Sequence, residues 1–196
     1  MSYSYNDFFM KRWIKWGIIA IVVLILAVTS VSTYNGVAAS DQDVQSKWSL
    51  VESAMQRRSD LITNEVEVVK GYVKHEEKVF ADIAAARSVL YNASSDVDSK
   101  LAANEELTAS LRNMLVLVEN YPDLKASEQF ENLQITIEGS ENRIAVARKD
   151  FIESVQSYNT RVTRFPGNIF ARLMGYGTKN YFEASPEAQQ APKVEF

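Results

Sequence analysis

The chain has no cysteine, which excludes a disulfide framework, a thiolate zinc site, an iron–sulfur cluster and a cysteine nucleophile. The compartment stays open, because reducing and oxidising spaces both hold cysteine-free proteins. There is one histidine, His75, so a histidine-based zinc site within one subunit lacks ligands. Excess positive charge is absent too: the formal net charge is −4, and Arg57-Arg58 is the longest basic run behind the apolar N-terminal region. No basic stripe interleaved with aromatics is present to track a phosphate backbone, so no nucleic-acid partner is expected. Four prolines and seven glycines in 196 residues gather near candidate helix ends. That scarcity favours long helices over a strand-rich fold.

What is abundant sits first near the N-terminus. No charged residue occurs from Trp16 to Ser40, and Trp16–Val31 is almost wholly apolar. Extended to Tyr34, the run is 19 residues, close to the roughly 20 that a helix needs to cross the hydrocarbon core. Lys11, Arg12 and Lys15 flank it on one side, and the first charges beyond it are Asp41 and Asp43. The positive-inside rule then keeps the N-terminal tail in the cytoplasm and sends the rest of the chain to the far side. Trp13, Trp16 and Tyr34 stand where interfacial aromatics are expected. A cleaved signal peptide is the alternative, with small residues at Ser30, Ser32 and Ala38. The apolar run is long for a signal peptide and continues straight into a helical pattern, which favours a retained anchor.

Behind the anchor the pattern is helical throughout. Positions spaced alternately by four and three run Val44, Trp48, Val51, Met55, Arg58, Ile62, Glu65, Val69, Tyr72, Glu76, Val79, Ile83, Ala86, Leu90. That is the seam of a coiled-coil-like helix from about Val37 to Asn92, interrupted only by Gly71. Asn92–Asp96 supplies turn and cap residues. A second helix is expected from about Asp98 to Asn120, with Leu101, Leu107, Leu111, Leu115 and Val118 inward, ended by Tyr121-Pro122. A third starts near Ser127, its N-cap, with Phe130, Leu133, Ile137, Glu141, Ile144, Arg148, Phe151, Val155, Tyr158 and Val162 on its seam. A short amphipathic turn (Ile169, Phe170, Leu173, Met174) follows Phe165-Pro166-Gly167. The expected fold class is all-α, an N-terminal transmembrane helix followed by an antiparallel bundle of long coiled-coil-like helices. The expected organisation is a cytoplasmic tail at 1–15, the anchor at 16–34, the bundle at 37–174 and an extended tail at 175–196.

Several stretches resemble the LemA family: Tyr34-Asn35, Trp48, Arg57-Arg58 through Ile62, Val69-Lys70-Gly71-Tyr72-Val73-Lys74-His75-Glu76, Ala86-Arg87, and Tyr121–Ala126. The strongest match runs from Glu138 to Arg148, with Phe130–Leu133 before it and Tyr158-Asn159, Phe165-Pro166 and Lys193–Phe196 after it. The resemblance covers nearly everything from Tyr34 onward. It implies a bacterial protein with one N-terminal membrane helix and an all-α bundle, and it brings no assigned catalytic activity. The chain departs from the family pattern at Thr63, where the family has proline, so a straighter helix is expected. It departs again at Val51–Ala54, where the family has Ile-Asp-Val.

Candidate site residues are few. His75-Glu76-Glu77 lacks the second histidine of a zinc-protease helix, and no nucleophile elbow or Gly-rich oxyanion loop accompanies His75. Neither a metal nor a cofactor is expected, nor is an enzyme. The sharper feature is charge on seam positions: Arg58, Glu65 and Glu76 on the long helix, Glu141 and Arg148 on the last. A charge facing a core costs several kcal/mol unless it is paired. Antiparallel helices would bring Arg58 to Glu141, or Arg148 to Glu65 or Glu76, and such pairs set helix register. Locally widened helices that leave the charges wet, or a polar pocket between helices, are the alternatives. If the seam pairs, Arg58→Leu strands a carboxylate and a second change to leucine restores stability. Gly71 and Gly139 within helices are expected to mark one close crossing.

The leading functional expectation is a membrane-anchored scaffold of the cell envelope, using its bundle and its terminal Val194-Glu195-Phe196 to meet an unidentified protein partner. A ligand-binding or sensory bundle is the runner-up, set back because only about a dozen residues precede the anchor, too few for an output domain. Neither reading settles the oligomeric state.

Overall fold

The computed structural model describes residues 3–73, 76–94 and 96–181, with side chains from Arg12 onward. His75 and Val194-Glu195-Phe196 lie outside the described residues. Among the described residues there are six helices and no strand: α1 (Tyr3–Lys70), α2 (Glu77–Asn92), α3 (Val97–Val118), α4 (Pro122–Lys125), α5 (Glu128–Thr163) and α6 (Gly167–Leu173). The helices group into two compact units, one of Ser46–Phe151 and one of Met1–Gln45 with Ile152–Phe196. Both α1 and α5 contribute to each.

In the Ser46–Phe151 unit, α1 and α5 run antiparallel. Lys47 meets Asp150 at 3.5 Å and Arg58 meets Glu141 at 3.2 Å, so numbers fall on one helix as they rise on the other. The α2 helix folds back along α1, with Arg87 Nε donating to Ser59 Oγ at 3.1 Å. Next, α3 reverses again: Lys100 Nζ donates to the Leu90 carbonyl at 3.2 Å, and Tyr121 at its far end donates to Glu76 at 3.3 Å. The four long helices form an up-down-up-down bundle joined by short connections. Its apolar interior includes Val51, Met55, Ile62 and Val69 of α1, Phe80, Ile83 and Leu90 of α2, Leu107, Leu111 and Met114 of α3, and Leu133, Ile137 and Ile144 of α5.

The caps follow local chemistry. The Asp96 carboxylate accepts from the Ser99 amide at 3.1 Å and starts α3. Ser127 Oγ accepts from the Phe130 amide at 3.3 Å and starts α5, as its hydroxyl suits. Thr63, in place of the family's proline, leaves the helix intact and turns its hydroxyl onto the Ser59 carbonyl at 2.7 Å.

The expected long helix from Val37 to Asn92 is corrected. It stops at Lys70, and Gly71, Tyr72 and Val73 close a turn through amide bonds to Val68, Val69 and Lys70. Gly71 is exposed in this turn, and a Cβ placed on Gly139 would meet nothing within 4 Å. The two glycines therefore mark no helix crossing. Gly71 instead weakens the helix where the chain must reverse. After the turn the expected seam continues through Ile83, Ala86 and Leu90, all buried, with Phe80 buried beside it, while Tyr72 in the turn is 53% exposed.

In the unit of Met1–Gln45 with Ile152–Phe196, α1 carries the apolar run. It is long and apolar enough to cross a membrane, with a mean hydropathy of 2.4, and among the described residues 0% of that window is buried. The end of α5 packs against the following turns of α1 through Val37, Val44, Val155, Tyr158 and Val162, all buried. Arg161 Nη1 donates to the Gly36 carbonyl at 3.4 Å. Gly167 and Ala171 turn inward from α6, and the position of a Gly167 Cβ lies 3.8 Å from Thr33 Cγ2.

Candidate functional site

Two polar constellations stand out, one in each unit. The first is a layer across the Ser46–Phe151 bundle, centred on Arg58, which is 1% exposed. Its guanidinium ties three helices together. Nη1 donates to Thr108 Oγ1 at 2.9 Å and to Asn104 Oδ1 at 3.4 Å on α3, and Nη2 donates to Glu141 on α5 at 3.2 Å. Burial pulls the guanidinium pKa below its ordinary value, Glu141 opposes that, and the nearby Arg148 charge adds to it. Arginine stays charged even so.

The partners are unequal in exposure. The side chain of Arg58 is 2% exposed and that of Glu141 47%. Glu141, expected on the seam, stands at the rim, and the arginine reaches outward to it. Burial likewise lowers the pKa of Arg148, with Glu105 of α3 opposing. Of the two expected pairings, Arg58 with Glu141 is the one present, in the register that also joins Lys47 to Asp150. Glu65 is half-buried, and Glu76 accepts from Tyr121. Among the described residues no group of His, Asp and Glu is arranged to hold a metal ion.

Beside this layer, a groove of ≈380 Å³ opens between α1 and α2, floored by Ile62, Val66, Phe80, Ile83 and Leu107. Lys70 and Glu77 line it near the chain reversal, and Arg87 lines it further along.

The second constellation clasps the segment after α6. Asn159 uses its side-chain amide as a second backbone: Nδ2 donates to the Lys179 carbonyl and Oδ1 accepts from the Lys179 amide, both at 2.8 Å. Tyr158 donates to the Gly177 carbonyl at 2.9 Å. Lys179 Nζ lies 2.7 Å from Asp41 Oδ1 and 5.1 Å from the Tyr158 ring centroid. An Asn amide satisfying both polar groups of one residue is a strong positional lock.

Burial raises the Tyr158 phenol pKa, helped by Asp41 and Tyr176. The unfolded chain then deprotonates first as pH rises, so this contribution is complete below about pH 10 and is lost as pH climbs through the folded pKa. Denaturation midpoints from about pH 9 to about pH 11 should fall more steeply for the parent than for Tyr158→Phe. At neutral pH that variant loses about 1 kcal/mol, one hydrogen bond. Parallel pH profiles would dismiss the phenol as a contributor.

The sequence pointed to Arg58, Glu141 and Arg148. It missed Asn104, although Asn104 sits on the face of Leu101 and Leu107, and that polar break in an apolar stripe was the available signal. Asn159 and Lys179 carried no such signal.

A helical bundle with one uncovered, membrane-length apolar helix is the class of protein defined here. The LemA family pattern matches residues 47–196, and the chain belongs to that family. Among its relatives is magnetosome protein MamQ 2 of Paramagnetospirillum magneticum, 23% identical over 189 residues that cover 84% of this chain and 70% of that protein. Magnetosome protein MamQ of Magnetospirillum gryphiswaldense is 23% identical over 194 residues, 86% of this chain and 71% of its own. Protein LemA of Metamycoplasma hominis is 24% identical over 151 residues, 77% and 69% respectively. None of these names designates a catalytic activity.

Proposed function

We propose that this protein is a non-catalytic, single-pass membrane scaffold, with its N-terminus in the cytoplasm and its bundle outside, presenting helical surface to a protein partner in the cell envelope. The observation that carries this reading is the apolar stretch of α1, uncovered on every side: Ile18, Leu24, Leu26 and Val28 are all more than half exposed. A helix apolar all round needs either a protein interior or a lipid one, and among the described residues the chain offers it no interior. The cationic cluster Lys11, Arg12 and Lys15 orients it. A body tied together across three helices by Arg58 suits rigid presentation better than turnover.

Because the chain lacks cysteine, single cysteines report topology without background. Gln42→Cys and Val146→Cys, both at exposed positions, should react with a membrane-impermeant maleimide on intact cells. Reaction only after the cytoplasm is opened would reverse the orientation. Crosslinking through the same positions should then recover one specific protein.

The groove between α1 and α2 favours a second reading, a bundle that binds a small apolar ligand, since its volume falls in the range of ordinary ligand sites. A melting shift with a ligand, in the absence of any protein partner, would favour it over the scaffold.

A further inference from the structure

The segment Phe165–Met174 is an apex. Before it, α5 descends along α1 until Arg161 reaches Gly36. After it, the chain climbs back, and Lys179 pairs with Asp41. The apex itself lies at the level of Thr33, where Gly167 meets α1. Thr33 belongs to the last turn of the apolar run that ends at Tyr34. From Trp16 to Tyr34 that run extends about 28 Å at 1.5 Å per residue, the thickness of the hydrocarbon core. The apex therefore sits where α1 leaves the apolar phase.

Its two faces differ in kind. Gly167 and Ala171, four residues apart, turn inward, and Ala171 is 2% exposed. Ile169 and Leu173, also four apart, turn outward at 55% and 77% exposure. Phe165 and Met174 extend that outer surface at 80% and 53%. Arg164 and Arg172 are exposed among them. Small residues seat the helix on α1, and the bulky ones are left uncovered. Bulky apolar side chains interleaved with arginine are the pattern of a helix lying in a lipid headgroup layer, and long cationic side chains there reach outward to phosphate.

We infer that α6 with its flanking residues is a second membrane contact, a short interfacial segment whose Phe165, Ile169, Leu173 and Met174 dip into the outer edge of the same bilayer that α1 spans, with Arg164 and Arg172 at the phosphates. This rests on the proposal that α1 crosses the membrane. Its consequence is mechanical: the body is held to the bilayer at two points, α1 and α6, and α1 cannot rotate freely about its own axis. The Asn159–Lys179 clasp returns the chain from the apex and fixes how deep it sits.

The test uses the full chain in vesicles of mixed zwitterionic and anionic phospholipid, with a polarity-sensitive fluorophore on one introduced cysteine at a time. Ile169→Cys and Leu173→Cys should emit blue-shifted and lose most of their emission to a lipid quencher carried near the headgroups. Gln42→Cys lies nine residues beyond Thr33 on α1, about 13 Å further out, and should keep its emission. Val28→Cys should be quenched by a chain-carried quencher. If Val28→Cys is quenched while both α6 labels behave like Gln42→Cys, α6 does not touch lipid and the inference is wrong. If Val28→Cys itself escapes quenching, the spanning reading fails first. Because Ile169 and Leu173 are exposed, neither label disturbs the core, and quenching at one α6 position only would confine the contact to that residue's half of the apex and overturn the interfacial-helix assignment.

Discussion

Glu141→Leu is expected to destabilise the bundle by about 2 kcal/mol, and adding Arg58→Leu is expected to restore about half of the loss. The asymmetry of the pair decides this order. Glu141 is half open to water, so removing Arg58 strands its carboxylate at little cost, contrary to what the seam pattern implies. Removing Glu141 instead leaves a guanidinium that is 1% exposed without its counter-charge. Breaking a fully buried pair costs about 3–5 kcal/mol, and solvent at the Glu141 side lowers that figure. Arg58→Leu alone should cost about 1 kcal/mol, mainly from the donor lost to Asn104 Oδ1. Thr108 is cushioned, since its hydroxyl also donates to the Asn104 carbonyl at 2.9 Å. Thermal melts of the two single variants and the double should rank Glu141→Leu lowest, with the double near Arg58→Leu. If Arg58→Leu ranks lowest, the neutral contacts to α3 outweigh the ion pair.

Gly167→Ala should cost more, about 3 kcal/mol, while Gly139→Ala should stabilise the protein by about 1 kcal/mol. A Cβ on Gly167 would overlap the Arg161 carbonyl oxygen. That atom is backbone near the end of α5, so relief requires α6 to shift away from the end of α5. Gly139 lies in the interior of α5 with open space where a Cβ would stand, so alanine there only restricts the unfolded chain. Denaturant midpoints with unchanged slopes would measure both effects. Equal midpoints for the two variants would refute the packing of α6.

Both predictions concern placement. Arg58 holds α3 and α5 to α1 in one register, and Gly167 holds the apex to the turn of α1 that leaves the apolar run. A body fixed in this way suits a scaffold, and it explains how an arginine is kept in the interior despite its desolvation cost: its fork reaches Asn104, Thr108 and Glu141 together.

Periodicity and composition were enough for the helical class, the membrane-length apolar segment, the break at Asn92–Asp96, the cap at Ser127, and most inward residues of α3 and α5. These depend on local propensity and on a repeat that persists along one helix, both of which a linear sequence carries. The same repeat misled at Gly71, because a four-three spacing passes through a turn almost in phase, and only the reversal of α2 against α1 shows the break. The sequence also placed Arg58 and Glu141 on facing seams, but not which of them is buried. That depends on how far α3 presses Asn104 and Thr108 against the guanidinium. The Asn159–Lys179 clasp and the seat of Gly167 on Arg161 and Thr33 had no local signature at all. Each joins segments far apart in the chain, and their meeting was decided by the antiparallel return of α5 along α1, which only the tertiary structure contains.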